Sequence, residues 1–223
     1  MNTTPDDIRQ MFTRIAGKYD FFNRFFSFGL EAQWRKILIR GVLKHAPRKV
    51  LDLATGTGKI ALPLQKAGLD VTGVDFCAEM LDIAQFKGLK NTVLADITNL
   101  PFSDSTFDAV TIGFAMRNLE KRRLEALQEM HRVLKPGGYL YVLEFSRPHS
   151  FIRPFFYFYL KHIMPWVVYG LTRQKKAYDY LATSIETFLD QQQFCDLLRQ
   201  AGFRDISYQN LAAGAVALHQ GMR

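Results

Sequence analysis

The sequence predicts an α/β protein: a Rossmann-like, doubly wound, mostly parallel seven-stranded sheet with an N-terminal helical cap and an inserted aromatic helical segment. Short apolar runs alternate with helical stripes from residue 49 onward, as in sheets built from repeated strand–helix units. A glycine-rich turn follows the first run. Asp75 ends the second run, where a carboxylate can accept the hydroxyls of a ribose. Together these features predict a nucleoside-cofactor site at the carboxyl edge of the sheet.

The elements follow from local patterns. The predicted strands are residues 50–54, 71–74, 92–95, 107–113 and 139–145, with a hairpin-like pair at 203–210 and 215–219. Apolar stripes at helical spacing predict helices at 6–19, around Trp34, at 78–86, at 124–134 and from 190 to 201, and a further helix opens at Lys59. Asp190 and Gln193 have the spacing of a capping box, and Gly202 marks that helix's end. His131 lies on an apolar stripe, which favours a packed histidine over a catalytic one.

Length and composition indicate one domain. The chain has 223 residues, and its hydrophobic content of 48% is that of a globular protein. We expect a helical cap at 1–46, a cofactor-binding core at 47–146, a substrate cover at 147–187, and a C-terminal helix and strands at 188–223. The two cysteines suit a reducing compartment and lack metal-ligand spacing. We find no signal peptide and no membrane span, so we expect a cytoplasmic protein, with contact at the inner membrane face left open.

The turn after the first strand carries the candidate cofactor residues. Gly56, Gly58 and Ala61, with Thr57 between the two glycines, fit a loose dinucleotide fingerprint, which is weak evidence alone. Asp52, in the approach to the turn, would repel a pyrophosphate and suits a cofactor with a cationic head. Asp96, just past the third strand, can reach an adenine amino group. The alternative is a tight strand-to-helix turn with no ligand.

Two aromatic segments have several interpretations. Residues 18–29 form either a cap whose rings pack on the core or a lid that offers Tyr19, Asp20 and Asn23 as polar contacts. Residues 151–171 combine aromatic rings with basic residues and prolines. They could form an interfacial helix, a cover over the sheet or the face of a homodimer.

The D-x-A-x-G-x-G loop resembles motif I of class I S-adenosylmethionine methyltransferases. Across nearly its whole length the chain resembles the ubiquinone/menaquinone biosynthesis C-methyltransferase family. The most specific segments are the Lys18-Tyr19-Asp20 entry and the run Gly113-Phe114-Ala115-Met116-Arg117-Asn118-Leu119. The resemblance implies S-adenosyl-L-methionine as methyl donor and a polyprenylated hydroquinone as acceptor, with demethylmenaquinol first and 2-methoxy-6-polyprenyl-benzoquinol as the alternative.

The resemblance also implies where the cofactor lies. Family positions carried onto this chain are Thr57, Asp75, Asp96, Ile97 and Gly113, with Asp75 on the ribose and Asp96 and Ile97 on the adenine. The chain departs from the family pattern in three places: Lys59 stands where an acid is common, Ala115 replaces a frequent glycine, and Leu189 replaces a proline. These departures affect the expected substrate preference and remove no cofactor contact.

Methylation of an aromatic carbon needs electron density on that carbon. A hydroquinone supplies it when a hydroxyl loses its proton, but a phenol has a pKa near ~10, so the site must stabilise the anion or accept the proton. We predict that Arg117 stabilises that oxyanion and orients a water that takes the proton, since arginine itself is a poor base. Asn118 and Tyr19 are predicted to orient the ring hydroxyls. The alternative for Arg117 is a structural ion pair with Asp20 or Glu144.

Other classes of function fit less well. The net charge of +8 would suit a methyltransferase acting on RNA, but we find no dense basic stripe or RNA-binding module, and we expect no nucleic-acid partner. A non-catalytic or NAD-binding domain is a third hypothesis. The absence of an acidic cluster disfavours a magnesium-dependent O-methyltransferase, and we expect no metal.

Overall fold

The computed structural model describes residues 29–163, 165 and 182–223. The predicted first helix, the aromatic entry with Tyr19, Asp20 and Asn23, and most of the second half of the aromatic segment lie outside these residues. None of the described helices combines the length and hydropathy needed to cross a bilayer.

The described elements run in the following order. They are α1 (Leu30–Lys44), β1 (Lys49–Leu53), α2 (Ala61–Lys66), β2 (Asp70–Asp75), α3 (Ala78–Phe86), β3 (Asn91–Leu94), β4 (Phe107–Gly113), a 3₁₀ segment (Met116–Arg122), α4 (Arg123–Val133), β5 (Leu134–Phe145), α5 (Arg153–Phe158), a π-helical turn (Tyr159–Ile163), α6 (Gln191–Gln200), β6 (Arg204–Leu211) and β7 (Val216–Met222). A short helical segment at 182–186 precedes α6.

The seven strands form one sheet in the order β3-β2-β1-β4-β5-β7-β6. The first five run parallel, and β7 lies antiparallel between β5 and β6. This confirms the predicted α/β class, the mostly parallel sheet and the hairpin-like edge. The strand order reverses between β1 and β4, so the ligand crevice of such a sheet is expected beyond the carboxyl ends of these two strands.

Both faces of the sheet are covered. Apolar side chains of α4 and α6 pack on one face and those of α1 and α2 pack on the other. The central strands are therefore buried on both sides, which explains why they read as continuous apolar runs rather than alternating ones.

Several local predictions hold, and several element boundaries differ from the predicted ones. The capping box of Asp190 and Gln193 is formed in both directions, and His131 packs its ring edge-on against Phe203 at 5.2 Å. The helix after the glycine turn begins at Ala61 rather than Lys59, because Pro63 has no amide N–H to donate to the carbonyl of Lys59. The helix predicted to reach Leu134 ends at Val133, since Pro136 disfavours helical backbone just before it, and β5 starts there.

Candidate active site

The glycine turn brings backbone to the sheet edge and leaves room beside it. Gly56 has a φ of 53°, and a Cβ added there would meet no heavy atom within 4 Å. Gly58 also has a positive φ, but its Cβ would lie 3.0 Å from Leu62 Cδ1. Gly58 therefore serves close packing between the turn and α2, whereas Gly56 faces the open space in which a ligand can approach the backbone.

Asp75 fixes this turn from the end of β2. The amide of Gly56 donates to its Oδ2 at 2.8 Å, and the amide of Cys77 donates to its Oδ1 at 3.0 Å. Burial raises the pKa of Asp75, and the two amide donors oppose that shift. The carboxylate thus organises the glycine turn, and its remaining lone pairs can accept ligand hydroxyls at the same edge.

Asp52 is buried on β1, as the sequence predicts. The hydroxyls of Thr55 and Thr111 donate to its two oxygens, each at 2.6 Å. Burial raises the pKa of Asp52 to about 6, although both hydroxyls and the positive charge of Arg35 act in the opposite direction. A cation placed nearby would favour the ionised carboxylate, so this group suits a ligand that carries positive charge.

Asp96 has a different environment, more open to solvent. Its Oδ1 accepts from the amide and hydroxyl of Thr98, and its Oδ2 accepts from Arg122 at 2.8 Å. Partial burial acts to raise the pKa of Asp96, but the donors from Thr98 and Arg122 outweigh it and bring the pKa below its ordinary value. Ile97 beside it is buried in the core together with Leu53.

The end of β4 lies against the glycine turn. A Cβ on Gly113 would come within 2.8 Å of Ile60 Cδ1, so this position accommodates only glycine without a shift. Phe114, the next residue, has a φ of 59°, an unfavourable conformation for a bulky side chain. Strained backbone of this kind is often held at functional sites, and here it directs the chain into the 3₁₀ segment that carries Arg117 and Asn118.

Arg117 is held rigidly at the start of that segment. One of its terminal nitrogens donates to Glu144 Oε1 at 3.0 Å and also to the carbonyl of Phe114. Its guanidinium lies 5.5 Å from the centre of the Phe145 ring. The structure therefore shows the ion pair with Glu144 that the sequence left open as an alternative. The Nε of Arg117 is buried and has no hydrogen-bond partner among the described residues, so one N–H remains for a further acceptor.

A charged cluster that the sequence did not predict lies on the other side of this edge. Glu31 on α1 pairs with Lys59 at 2.6 Å and with Arg35 at 3.2 Å. Trp34, on the same helix, packs 6.2 Å from the ring of Phe114. The four-residue spacing of Glu31 and Arg35 could have predicted their ion pair from the sequence, whereas no local pattern predicts the contact with Lys59.

The donor set suits the cofactor that the resemblance implies. Two buried acids lie beside the open turn. Asp52 suits a cationic head group, and Asp75, at the end of β2, suits a ribose. Gly56, Thr57 and Gly58 follow β1 and Gly113 ends β4, so these residues lie at the same edge of the sheet. Asp96 and Ile97 lie beyond β3, and Asn118 follows Arg117. Within the described part of the chain, no three His, Cys, Asp or Glu residues are placed to hold a metal ion.

Comparisons with known proteins agree on one family. The model of the ubiE/COQ5 methyltransferase family matches residues 1–223. Demethylmenaquinone methyltransferase of Paenarthrobacter aurescens (strain TC1) is 40% identical over 221 residues, covering 98% of this chain and 87% of the relative. Ubiquinone/menaquinone biosynthesis C-methyltransferase UbiE of Geotalea daltonii is 36% identical, covering 97% and 96%.

Solved structures support the fold. A SAM-dependent methyltransferase of Thermotoga maritima superposes with a TM-score of 0.69 at 21% identity, covering 96% of this chain and 98% of that one. A SAM-dependent methyltransferase of Aquifex aeolicus gives a TM-score of 0.58 at 22% identity, covering 82% and 88%. At such identities the likeness concerns the architecture alone.

Proposed function

The chain belongs to the ubiE/COQ5 methyltransferase family, and we propose that it transfers a methyl group from S-adenosylmethionine to a ring carbon of demethylmenaquinol. The observation that carries the proposal is the match over nearly the whole chain to demethylmenaquinone methyltransferases, such as the 40% identical P. aurescens protein. The relative from G. daltonii, whose name covers both quinones, supports 2-methoxy-6-polyprenyl-benzoquinol as a second acceptor.

The cofactor half of the site is formed by β1, β2 and β3. S-adenosylmethionine supplies an electrophilic methyl group on a sulfonium, and it also carries an ammonium. In our proposal Asp52 attracts this positive charge, Asp75 and Thr57 hold the ribose side, and Asp96 with Ile97 borders the adenine. Gly56 allows the close approach of the ligand to backbone that such binding requires, whereas Gly58 and Gly113 let the turn pack tightly against α2 and the end of β4.

The acceptor half depends on Arg117. Because Glu144 already balances its charge, Arg117 offers a fixed N–H donor rather than net positive charge. We propose that its Nε–H stabilises the quinol oxygen as the hydroxyl loses its proton, which increases electron density at the ring carbon. A water oriented by the same group takes the proton, and Asn118 and Tyr19 orient the ring hydroxyls. Tyr19 lies outside the described residues, so its part rests on the family resemblance.

The test of this function is turnover with labelled S-adenosylmethionine. Reduced demethylmenaquinone and reduced 2-methoxy-6-polyprenyl-benzoquinone are offered side by side, with the oxidised quinones as controls. We expect label in the reduced naphthoquinol and none in either oxidised quinone. Label in the benzoquinol alone would assign the protein to ubiquinone synthesis. Label in neither quinol, with cofactor still bound, would contradict the proposed acceptor.

We further propose that the segment from Phe151 to Ile163 contacts the membrane that carries the substrate. Phe151, Phe155 and Phe158 are 70%, 76% and 59% exposed; Phe155 and Phe158, three residues apart, lie on one face of α5, and Phe151 lies in the turn before it. Arg153 lies between Phe151 and Phe155, Lys161 follows Phe158 and is paired with Glu186, and the chain has a net charge of +8. Exposed rings with basic neighbours favour an anionic lipid surface. The protein would then be cytoplasmic and peripheral, at the inner face of the membrane.

Vesicle flotation tests this contact. The double variant Phe155→Ser/Phe158→Ser is compared with Phe86→Ser, which removes a ring that is 93% exposed at the end of α3. We expect the double variant to lose binding to anionic vesicles and Phe86→Ser to keep it. Equal binding to the vesicles by the wild type and both variants would contradict the proposal. Light scattering of the same samples determines whether this face instead forms a homodimer.

A further inference from the structure

Two aromatic rings that the proposed mechanism does not use lie side by side at the carboxyl edge of the sheet. Phe145 is the last residue of β5, and Phe114 directly follows β4. The amide of Phe114 donates to the carbonyl of Leu143 at 2.7 Å, which keeps the ends of the two strands together. The ring centres of Phe114 and Phe145 are 5.2 Å apart, with a tilt of 54° between the ring planes. The two side chains therefore form one aromatic pair in the acceptor half of the site.

This pair remains partly exposed, although the strands that carry it are buried. Ile112 and Leu143, near the ends of β4 and β5, are fully buried, whereas Phe114 and Phe145 are half-buried. Phe114 has a φ of 59°, which glycine would adopt at lower cost, so the chain holds a large ring in a conformation that disfavours it. An accessible ring held in this way, at the edge where the ligand crevice is expected, is suited to contact with a ligand.

Arg117 connects this pair to the open hydrogen-bond donor of the acceptor half. Its guanidinium carbon lies 5.5 Å from the centre of the Phe145 ring, and Nε, bonded directly to that carbon, is the buried nitrogen that lacks a partner among the described residues. A phenolic oxygen that accepts from Nε–H brings its own ring close to Phe145, because the oxygen is attached directly to that ring. Aromatic rings attract each other at centre-to-centre distances of about 4.5–7 Å. The acceptor ring can therefore contact Phe145 while Arg117 holds its oxygen.

We propose that Phe145 and Phe114 form the subsite for the aromatic ring system of the acceptor, and that Phe145 makes the site prefer a two-ring quinol over a one-ring quinol. This inference rests on the proposed function. Arg117 provides the polar contact that fixes one ring oxygen, and the two phenylalanines provide an apolar wall, a division typical of small-molecule sites. A naphthoquinol presents a fused second ring to this wall and a benzoquinol does not, so loss of the Phe145 ring weakens binding of the naphthoquinol more.

Binding of two diols without an isoprenoid tail tests the subsite without turnover. 1,4-Naphthalenediol and 1,4-benzenediol, which differ by the fused ring, are titrated anaerobically into protein loaded with S-adenosylhomocysteine, and ligand-observed NMR measures both affinities. We expect wild type to bind the naphthalenediol about tenfold more tightly, because more apolar surface is buried. Phe145→Leu keeps an apolar side chain but loses the ring. It should weaken the naphthalenediol about fivefold and the benzenediol less than about twofold.

Phe102→Leu is the matched control, because Phe102 is also half-buried and also packs against a second ring, that of Phe107 at 5.0 Å. Phe107 begins β4, so this pair lies at the opposite edge of the sheet. The control variant should keep both affinities and their ratio. If Phe145→Leu does not fold, Phe114→Leu takes its place, since it removes the other ring of the subsite and should lower the preference in the same way.

The outcomes separate this inference from the proposed function, because labelled turnover of the reduced quinols is measured on the same wild-type sample. Equal losses of both diols in Phe145→Leu would show a structural role for the ring and overturn the subsite. Unchanged affinities in that variant, or a wild type that binds neither diol, would also overturn it, and turnover by wild type would still uphold the proposed function. A wild type that prefers the naphthalenediol but transfers no label to either quinol would overturn the proposed function alone.

Discussion

The buried ionisable groups in the two halves of the carboxyl edge have different kinds of partner: neutral hydrogen-bond donors in one half and an opposite charge in the other. In the cofactor half, Asp52 and Asp75 accept hydrogen bonds from hydroxyls and backbone amides, and burial raises the pKa of both. In the acceptor half, Arg117 is paired with the buried carboxylate of Glu144. A ligand that carries positive charge would therefore stabilise the ionised carboxylates of the first half. In the second half the charge of Arg117 is already neutralised by Glu144, so this half contributes directed hydrogen-bond donors rather than net charge.

The largest expected effect is on the acceptor half. Arg117→Lys keeps a cation beside Glu144 but loses the planar guanidinium and its Nε–H. We expect turnover to fall by about 10²–10³-fold, the range seen when one donor to a developing oxyanion is removed. The affinity for S-adenosylhomocysteine should stay unchanged. Quinol turnover, ligand titration and the melting temperature together check this, and full turnover would refute the role of Arg117.

Gly56→Ala probes the open space of the cofactor half. The alanine would be strained by about 1–2 kcal/mol at positive φ, and its methyl group would point toward the ligand. Gly68→Ala is the matched control, because Gly68 also has a positive φ and open surroundings. We expect both variants to lose similar stability in denaturant unfolding, whereas only Gly56→Ala loses cofactor affinity, by about tenfold or more. Equal affinities in the two variants would place the ligand elsewhere.

The pH dependence of cofactor affinity examines Asp52. Its pKa of about 6 in the folded protein exceeds the ordinary value of 3.8. A bound cation favours the carboxylate, so affinity should fall by up to about tenfold per pH unit as the pH drops below about 6. In Asp52→Asn this dependence should vanish, and the affinity should be low at every pH. A wild-type affinity that is flat between pH 7 and 5 would contradict the assignment.

The same shift predicts a stability effect of defined sign. The folded protein binds a proton to Asp52 more readily than the unfolded chain does. The cost of burying the ionised group is therefore absent below about pH 4 and complete above about pH 6, where it reaches about 3 kcal/mol at most. Asp52→Asn should accordingly stabilise the protein more at pH 8 than at pH 4. Denaturant unfolding at both pH values measures the difference.

The smallest effect is expected at Arg122. Its pair with Asp96 is open to solvent, with side chains 41% and 50% exposed. Such pairs contribute about 0–1 kcal/mol, so Arg122→Gln should change stability by no more than that. Cofactor affinity should change by less than about threefold. A loss of tenfold or more would show that Arg122 itself, and not only Asp96, belongs to the cofactor site.

Local patterns predicted the structure around β1, β2 and α3 well. Patterns in consecutive residues predicted the burial of Asp52, the glycine turn and the 78–86 helix, and the structure confirms all three. The start of the helix after the turn was predicted two residues early, because apolar spacing does not show that Pro63 leaves the carbonyl of Lys59 without its helical donor.

Contacts between residues far apart in the chain were harder to predict from the sequence. The sequence reduced the partner of Arg117 to two carboxylates, and only the structure shows Glu144, which is 27 residues away. The pair of Glu31 and Lys59 spans 28 residues and was not predicted. The aromatic segment left three interpretations open, because ring spacing alone does not distinguish packed rings from exposed ones. Exposure is decided by the tertiary structure around α5.

The division of this edge into two halves is tested most directly by single turnover at saturating cofactor. Asp52→Asn and Arg117→Lys are each measured for the affinity of S-adenosylhomocysteine and for the rate of methyl transfer to the reduced quinol. The account predicts that Asp52→Asn mainly weakens binding and keeps a near-normal rate at saturation, whereas Arg117→Lys keeps the affinity and loses the rate. Variants that both lost the same quantity would contradict the division.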